Sequence, residues 1–199
     1  MKLFQGVPTF QKVMMLGVFG AVATYSLSQQ KERVEQITSL KLSDTSPRVV
    51  DGDTVDVKGS RVRIVGIDAP DDDLPQLKGI ASEALRELTA RDGGLNCSTN
   101  VFDFALRREK QCRTDAESYG RLNLACRLRN NDASVAATMV AQGYAVDYRR
   151  FSGGAYVDLM KKAAEQRLGL WAVDYEGMRS LAQRQAAVPK SCQVDTIRK

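Results

Sequence analysis

Two short acidic motifs contain the residues of this sequence that are best suited to chemistry. The motif DGDT begins at Asp51 inside one alternating, β-branched run, and the motif DAP begins at Asp68 at the end of the next run. Either motif alone is typical of a turn or a strand end, since Asp-Gly is a common turn pair and proline stiffens the chain. Together, the acidic ends of two adjacent strands would place Asp53 and Asp68 within reach of one hard cation. Ca²⁺ and Mg²⁺ bind such carboxylates, and backbone carbonyls and water complete the ligand shell.

Two arginines add the positive charge that phosphoryl chemistry needs. Arg63 has the opposite parity from Val62 and Ile64 in the second run, so it projects toward a ligand if those two residues face the core. The motif YGR, a turn feeding a strand, ends at Arg121 and supplies a second guanidinium group. Two guanidinium groups and a divalent cation can bind phosphate oxygens and neutralise the charge that develops in the transition state. The pattern therefore indicates metal-assisted phosphoryl chemistry.

The composition narrows the chemistry further. None of the 199 residues is histidine, which excludes Ser-His and Cys-His nucleophilic pairs and imidazole metal sites. Hydrolysis would then depend on carboxylates, arginines, lysines and a metal that prefers oxygen. The net charge of +5 favours a polyanionic partner, either nucleic acid or an anionic membrane surface.

The elements that would position these residues form one α+β domain over residues 48–175. Alternating β-branched runs predict strands, and apolar residues at helical spacing predict amphipathic helices. Five strands interleaved with three helices point to a small closed barrel with helices packed outside it. The predicted strands are 48–57, 60–67, 101–112, 121–128 and 144–148, the predicted helices are 80–91, 133–142 and 155–167, and 92–98 is expected to be a loop. Residues 31–47 are expected to be a stalk and linker, and residues 176–199 a basic tail that begins as a helix.

The first 30 residues form a separate hydrophobic region. Residues 13–27 carry no charge, but at ~1.5 Å per residue they span about 22 Å, less than the roughly 30 Å hydrocarbon core of a bilayer. Residues 7–11 make the segment long enough, with Lys12 snorkelling toward the headgroups, so we expect a membrane anchor that leaves the body outside the membrane. A cleavable signal peptide with its cleavage site at residues 21–23, or a buried core helix, is the alternative.

The four cysteines give a second indication of the compartment. None of them forms a C-x-x-C pair, so a zinc site is not expected. An even number of cysteines after an export-type segment fits disulfides in an oxidising compartment, such as the periplasm, the intermembrane space or the extracellular medium. Buried reduced thiols are the alternative, because unpaired cysteine is commonly buried. The cysteines are Cys97, Cys112, Cys126 and Cys192.

The order of the motifs resembles that of the staphylococcal nuclease (thermonuclease) family. The segments VVDGDTVDV, VRIVGIDAP, YGR, GYAVDYRRFSGGAY and GLW follow one another as they do in that family, over about two thirds of the chain. The resemblance implies an OB-fold, with a five-stranded barrel and three packed helices, and Ca²⁺-dependent hydrolysis of DNA and RNA. It also implies a disulfide between Cys112 and Cys126, on strands that flank the YGR turn, which would leave Cys97 and Cys192 as a second pair or as free thiols.

The same resemblance assigns a metal site. It implies that Asp53 and Asp68 provide the carboxylate ligands and that Asp51 acts nearby through water. The residue after the second aspartate normally gives only its backbone carbonyl to the metal, so Ala69 can fill that position.

The resemblance also assigns catalytic and substrate-binding residues. Arg63 and Arg121 match the two arginines that clamp the phosphate, and the second of them is assigned to stabilising the leaving group. The family glutamate that positions or deprotonates the attacking water is Asp71 here, one methylene shorter, and a displacement of ~1 Å can lower a catalytic rate on the order of 10²-fold. Tyr148 and Arg149 resemble the segment that meets substrate, although a strand end with a solvated basic edge would have the same residues.

The sequence therefore supports a membrane-tethered or exported Ca²⁺-dependent nuclease that hydrolyses phosphodiester bonds of DNA and RNA. The alternative is a catalytically weakened or silent accessory subunit of a larger membrane complex, such as a respiratory complex, because of the shortened acid at position 71. A third hypothesis is a nucleic-acid-binding barrel without cleavage. The aromatic content of 7% argues against it, since such binders depend on exposed aromatic side chains.

Overall fold

The computed structural model describes residues 40–99, 117–118 and 120–187, which form a mixed sheet with helices around it. The predicted anchor or signal peptide in residues 1–30 lies outside the described residues, as do Cys112, Tyr119 and Cys192. None of the helices in the described ranges is long and apolar enough to cross a membrane.

Nine short strands occur in the described residues, and seven of them form the main sheet. The strands are β1 (Lys41–Asp44), β2 (Arg48–Asp51), β3 (Thr54–Val57), β4 (Ser60–Ile64), β5 (Ile67–Asp68), β6 (Leu95–Ser98), β7 (Glu117–Ser118), β8 (Arg121–Leu128) and β9 (Val146–Asp147). The main sheet has the order β1-β6-β8-β4-β3-β2, with β7 paired to β8, and β5 pairs with β9 separately. Neighbouring strands are antiparallel except β4 and β8, which are parallel.

The hairpin of β3 and β4 carries the first predicted arginine. Val62 and Ile64 of β4 are fully buried, and so are Val55 and Val57 of β3. β-Branched residues favour such a pleated, buried surface. Since successive side chains of a strand point to opposite faces, Arg63 points away from the core, as its parity predicts.

Six helices occur in the described residues. They are α1 (Pro75–Arg91), α2 (Val135–Ala141), α3 (Arg149–Ser152), α4 (Val157–Glu165), α5 (Leu170–Val173) and α6 (Tyr175–Ala186). α1 starts at a proline, whose missing N–H would have no partner in a first turn anyway. The side chain of Ser134 caps α2 by accepting a hydrogen bond from the backbone N–H of Ala137, and Asp174 caps α6 in the same way through Gly177.

The α+β class is confirmed, but the count of five strands and three helices is not. The main sheet runs from β1 to β2 as an open path, and these two edge strands do not pair within the described residues, so the sheet forms half of a barrel. The fold around the candidate site is therefore richer in short elements than the sequence pattern indicates.

Several predicted segments differ from the structure, among them the predicted strand 60–67, which is divided between β4 and β5. The predicted strand 48–57 is two strands, because the DGDT motif makes a turn in which the backbone N–H of Asp53 donates to Oδ1 of Asp51 at 3.2 Å. Residues 92–98, expected to be a loop, contain β6, and the expected linker within 31–47 contains β1. β1 and β6 pair with each other over four residues. Apolar alternation over four residues is too short to separate a strand from a loop.

The disulfide prediction is wrong in one partner. Cys126 is bonded to Cys97, not to Cys112, and both bonded residues are buried. The two cysteines lie opposite each other where β6 pairs with β8, with their Cα atoms 4.0 Å apart. Directly opposed residues of antiparallel strands come close enough for this bond. The bond was missed because β6 was expected to be a loop. A disulfide in this position is consistent with an oxidising compartment.

Candidate functional site

A polar pocket of about 210 Å³ opens where the DGDT turn, the end of β5 and the last turns of α6 meet. Carboxylates outnumber cationic groups on its wall, so the pocket carries an excess of negative charge. Its ionisable and amide residues are Asp51, Asp53, Asp68, Asp71, Asp73, Arg63, Arg184 and Gln185. The pocket brings together the predicted metal residues, including Ala69, and one of the two predicted arginines.

Close packing holds the DGDT turn in place. Gly52 lies so near to α1 and to the chain after β5 that an added Cβ would be 2.6 Å from Cβ of Ala69 and 2.7 Å from Cβ of Ala81. Both distances are far shorter than an ordinary contact between carbon atoms, so this position has no space for a side chain. The turn therefore carries Asp53 directly against the end of β5.

One guanidinium group joins the two predicted metal carboxylates. Arg63 donates from Nη1 to Oδ1 of Asp53 at 2.9 Å, and its Nη2 lies 2.9 Å from Oδ2 of the same residue. The same Nη2 donates to Oδ1 of Asp68 at 2.6 Å. The three side chains are well shielded from water, with exposed fractions of 17%, 5% and 18% for Arg63, Asp53 and Asp68. Asp53 and Asp68 therefore share one counter-charge at the wall of the pocket.

Other donors reach the remaining carboxylate oxygens. The hydroxyl of Thr54 donates to Oδ1 of Asp53 at 2.9 Å, and the backbone N–H of Ala69 donates to Oδ2 at 3.2 Å. Oδ2 of Asp68 accepts a hydrogen bond from Nε2 of Gln185 at 2.8 Å. Each of the four oxygens of Asp53 and Asp68 thus has at least one hydrogen-bond donor, which is what a buried carboxylate pair requires.

The shared guanidinium does not balance the charge of this cluster. The pKa of Asp53 is raised to about 7, mainly by burial and in smaller part by the neighbouring carboxylates of Asp51 and Asp68, against the opposing effect of Arg63. Burial also raises the pKa of Asp68, although Arg63 opposes that effect as well. Near neutral pH, uptake of a proton or a metal cation would therefore stabilise the cluster.

The donor set is of the kind that suits a hard cation, and the role of Asp53 and Asp68 as its ligands stays a prediction. Within the described residues no three His, Cys, Asp or Glu side chains lie close enough together to hold a metal ion by themselves. Carboxylate oxygen suits Ca²⁺ or Mg²⁺, and these ions accept backbone carbonyls and water as further ligands. The predicted contributions of the Ala69 carbonyl and of Asp51 through water are of this kind and stay predictions.

Asp71 lies on the pocket wall but is engaged elsewhere. Its carboxylate forms an ion pair with Nζ of Lys78 at 2.7 Å, and Lys78 also pairs with Asp72 at 2.6 Å. The hydrogen bond from Lys78 lowers the pKa of Asp71, so this carboxyl is ionised at neutral pH. The side chain is 65% exposed, which allows it to turn toward the pocket. Its role as the base for water stays a prediction.

Arg121 is not among the described residues that line the pocket. It begins β8, two residues before Asn123, which lies beside Arg63 in the parallel pairing of β4 and β8. Alternation along β8 places Arg121 and Asn123 on the same face of the strand. Nε of Arg121 is buried and has no hydrogen-bond partner among the described residues. The proposed clamp role of this arginine stays untested.

The predicted substrate-binding residues lie next to the pocket and do not form its wall. The ring of Tyr148 lies 5.9 Å from the guanidinium carbon of Arg63 and packs edge-on against Phe151, with ring centres 4.6 Å apart. A cation over an aromatic face is stabilised by the ring quadrupole, so Tyr148 supports the position of Arg63. Arg149 begins α3 and is absent from the described pocket residues.

Helix α6 contributes residues to the pocket that were not predicted from the sequence. Leu181, Arg184 and Gln185 of this helix line the pocket. The signal available in the sequence was the spacing of Met178, Leu181 and Gln185, which places the three on one face of a helix capped by Asp174. The segment was expected to be a basic tail beginning as a helix, and its contact with the DAP motif depends on packing between distant parts of the chain.

The amino-acid sequence of the chain matches the model of a known protein family. The model for staphylococcal nuclease homologues matches residues 61–173, which is more than half of the 199 residues. No curated protein matched the chain in a sequence comparison. The matched region runs from β4 to α5, so it contains Arg63, Asp68 and Arg121 but neither the DGDT turn before it nor α6 after it. The chain therefore belongs to the family of staphylococcal nuclease homologues.

Proposed function

We propose that this chain is a Ca²⁺-dependent nuclease that hydrolyses the phosphodiester bonds of DNA and RNA. The observation that carries the proposal is the buried pair of Asp53 and Asp68, joined by the guanidinium of Arg63 at the wall of an open pocket. Family membership supports the same conclusion. This constellation combines oxygen ligands for a hard cation with a fork of donors for phosphate.

The charge of the pocket explains why cleavage would require a cation. Carboxylates outnumber guanidinium groups on the pocket wall, so a phosphodiester would be repelled from a pocket without further positive charge. Asp53 and Asp68 would hold Ca²⁺, with the Ala69 carbonyl and, through water, Asp51 as further ligands. When bound, the ion supplies positive charge for the phosphate oxygens and lowers the pKa of bound water.

The remaining steps depend on residues of the chain itself. Arg63 now donates to both carboxylates, and in the reaction its Nη1 and Nη2 would instead donate to two phosphate oxygens. Asp71, ionised beside Lys78, would accept the proton of the attacking water. Arg121 would stabilise the leaving oxygen, and Tyr148 and Arg149 would contact the flanking nucleotide.

The test is cleavage of a single-stranded DNA oligonucleotide by the full-length chain in detergent, with Ca²⁺ and with chelator. We expect cleavage with Ca²⁺ only. Arg63→Lys keeps the charge but removes the fork, and the loss of two charge-assisted hydrogen bonds of about 1.5 kcal/mol each lowers kcat/KM about a hundredfold. Arg61→Lys is the matched control, because Arg61 lies in the same strand and pairs with Asp56 outside the pocket. Equal activity of the two variants would contradict the role of Arg63.

The ion pair between Asp71 and Lys78 favours a second candidate function. A carboxylate held by a lysine is a weaker base, so the chain could serve as a catalytically silent accessory subunit of a larger membrane complex. Absence of Ca²⁺-dependent cleavage, together with stoichiometric co-purification with membrane proteins, would support this function over the nuclease. Migration as a free monomer after mild detergent extraction would count against it.

Membrane tethering or export is a further part of the proposal. The disulfide between Cys97 and Cys126 supports an oxidising compartment for the body. The segment 7–27, which includes the uncharged residues 13–27, is the proposed anchor. Retention of the chain in the membrane fraction after alkaline carbonate extraction would support the anchor, and release of a shortened chain would support a cleaved signal peptide instead.

A further inference from the structure

Helix α6 is firmly attached to the domain although it lies beyond the matched family region. Asp174 caps its first turn through the backbone N–H of Gly177 at 2.9 Å. Met178 and Leu181 are buried in the core, with exposed fractions of 0% and 2%. The helix is therefore a fixed part of the structure, and its last turn has a defined position.

The last turn of α6 reaches the pocket. Gln185 lies four residues after Leu181, on the same helical face, and is half-buried. Arg184 beside it forms an ion pair with Asp73, in the chain that follows the DAP motif. The end of the helix thus contacts the pocket wall at two neighbouring points.

Gln185 contacts one of the two proposed metal ligands directly. Its Nε2 donates to Oδ2 of Asp68 at 2.8 Å, while Oδ1 of Asp68 accepts from Nη2 of Arg63 at 2.6 Å. Asp68 ends the two-residue strand β5, which gives its side chain little support from the sheet. The orientation of this carboxylate is therefore set by Arg63 on one oxygen and by Gln185 on the other.

We propose that Gln185 is a positioning residue for cation binding, which holds Asp68 in the orientation that the ion requires. The inference rests on the proposed function, since Arg63 must leave the carboxylates to bind phosphate. Gln185 then remains as the side-chain donor to Asp68 within the described residues. An amide suits this task because it donates a hydrogen bond without a positive charge that would repel the ion.

The expected effect follows from comparable sites. Removing a partner that orients a metal ligand typically weakens metal binding by about 10- to 100-fold. Gln185→Met keeps the length and the helix propensity of the side chain but removes its donor. Gln183→Met is the matched control, because Gln183 is exposed on the same helix and does not line the pocket.

The experiment measures Ca²⁺ binding by the full-length chain in detergent, by calorimetric titration, together with the thermal midpoint in chelator. We expect Gln185→Met to raise the Kd for Ca²⁺ about 10- to 100-fold, with a thermal midpoint in chelator equal to that of Gln183→Met. Equal Kd values for the two variants would overturn the inference. If Gln185→Met does not fold, Gln185→Ala and Gln183→Ala repeat the comparison with the best helix former.

The same titration separates the two proposals. If the unaltered chain binds Ca²⁺ but Gln185→Met binds it equally well, the positioning role is refuted while the nuclease proposal stands. If the unaltered chain binds no Ca²⁺, both are refuted.

Discussion

Replacing Asp53 by asparagine measures how much the buried charge of Asp53 lowers the free energy of unfolding. Asp53 has an exposed side-chain fraction of 5%, and burial raises its pKa from the ordinary value of 3.8 to about 7. Between these two pH values the folded chain holds a proton that the unfolded chain has released. The free energy of unfolding therefore falls as pH rises from about 4 to about 7 and stays low at higher pH.

The magnitude follows from the width of that window. One pH unit corresponds to 1.36 kcal/mol, so roughly three units amount to about 4 kcal/mol. This is a large share of the about 5–15 kcal/mol that stabilises an ordinary domain. Asp53→Asn cannot ionise, so its free energy of unfolding should gain about 4 kcal/mol relative to the unaltered chain as pH rises from 4 to 8.

The assay is urea unfolding of both proteins in chelator at a series of pH values. Groups outside this cluster titrate alike in both proteins, so their effects cancel in the difference. Asp56→Asn is the control of opposite sign, since hydrogen bonds from Arg61 and Arg48 lower the pKa of Asp56. In this control the difference from the unaltered chain should stay nearly constant from pH 8 to about 4 and should shrink as pH falls below about 4. A flat difference between Asp53→Asn and the unaltered chain from pH 4 to 8 would refute the reasoning.

Three further predictions concern the support of the site. Arg63→Ala leaves two carboxylates buried without their partner, so it should lower the free energy of unfolding in chelator by about 3 kcal/mol or more. Arg61→Ala removes an exposed ion pair and should change the same free energy by at most about 1 kcal/mol. Urea unfolding measures both. Gly52→Ala would overpack the contact with Ala69 and Ala81, so it should lower the free energy of unfolding by about 1–3 kcal/mol and lower the thermal midpoint with it. Gly79→Ala has open space around its Cβ and should raise the midpoint slightly. Peptide mapping of the unreduced chain should recover Cys97 linked to Cys126, and reduction should destabilise the domain by about 3 kcal/mol; a Cys112–Cys126 peptide instead would contradict the register of β6 and β8.

The part of the site that could be predicted is the part that neighbouring residues determine. The alternation of β4 gave the direction of Arg63, because burial of Val62 and Ile64 forces the residue between them outward. The motif context brought Asp53 and Asp68 into one proposal, and the structure joins them through a single guanidinium.

The parts that were missed depend on contacts between distant segments. β1 and β6 are four-residue strands whose pattern is too short to stand out, and their pairing with each other fixes them. The bond of Cys97 to Cys126 depends on the register of β6 with β8, so the sequence could not identify Cys97 as the partner. Gln185 reaches Asp68 across 117 positions of sequence, and its proximity depends on how α6 packs. Local spacing carries no information about such a contact.

The guanidinium shared by Asp53 and Asp68 bears on whether the chain folds before or after it binds a metal ion. The guanidinium of Arg63, together with a proton near neutral pH, offsets the charge of the buried acidic pair. The chain can therefore fold without bound calcium. Under the proposed function, the ion would be bound by an already folded domain, and Arg63 would be released from the carboxylates to bind phosphate. Under the same proposal, the chain could fold where calcium is scarce and would become active only where the metal is abundant.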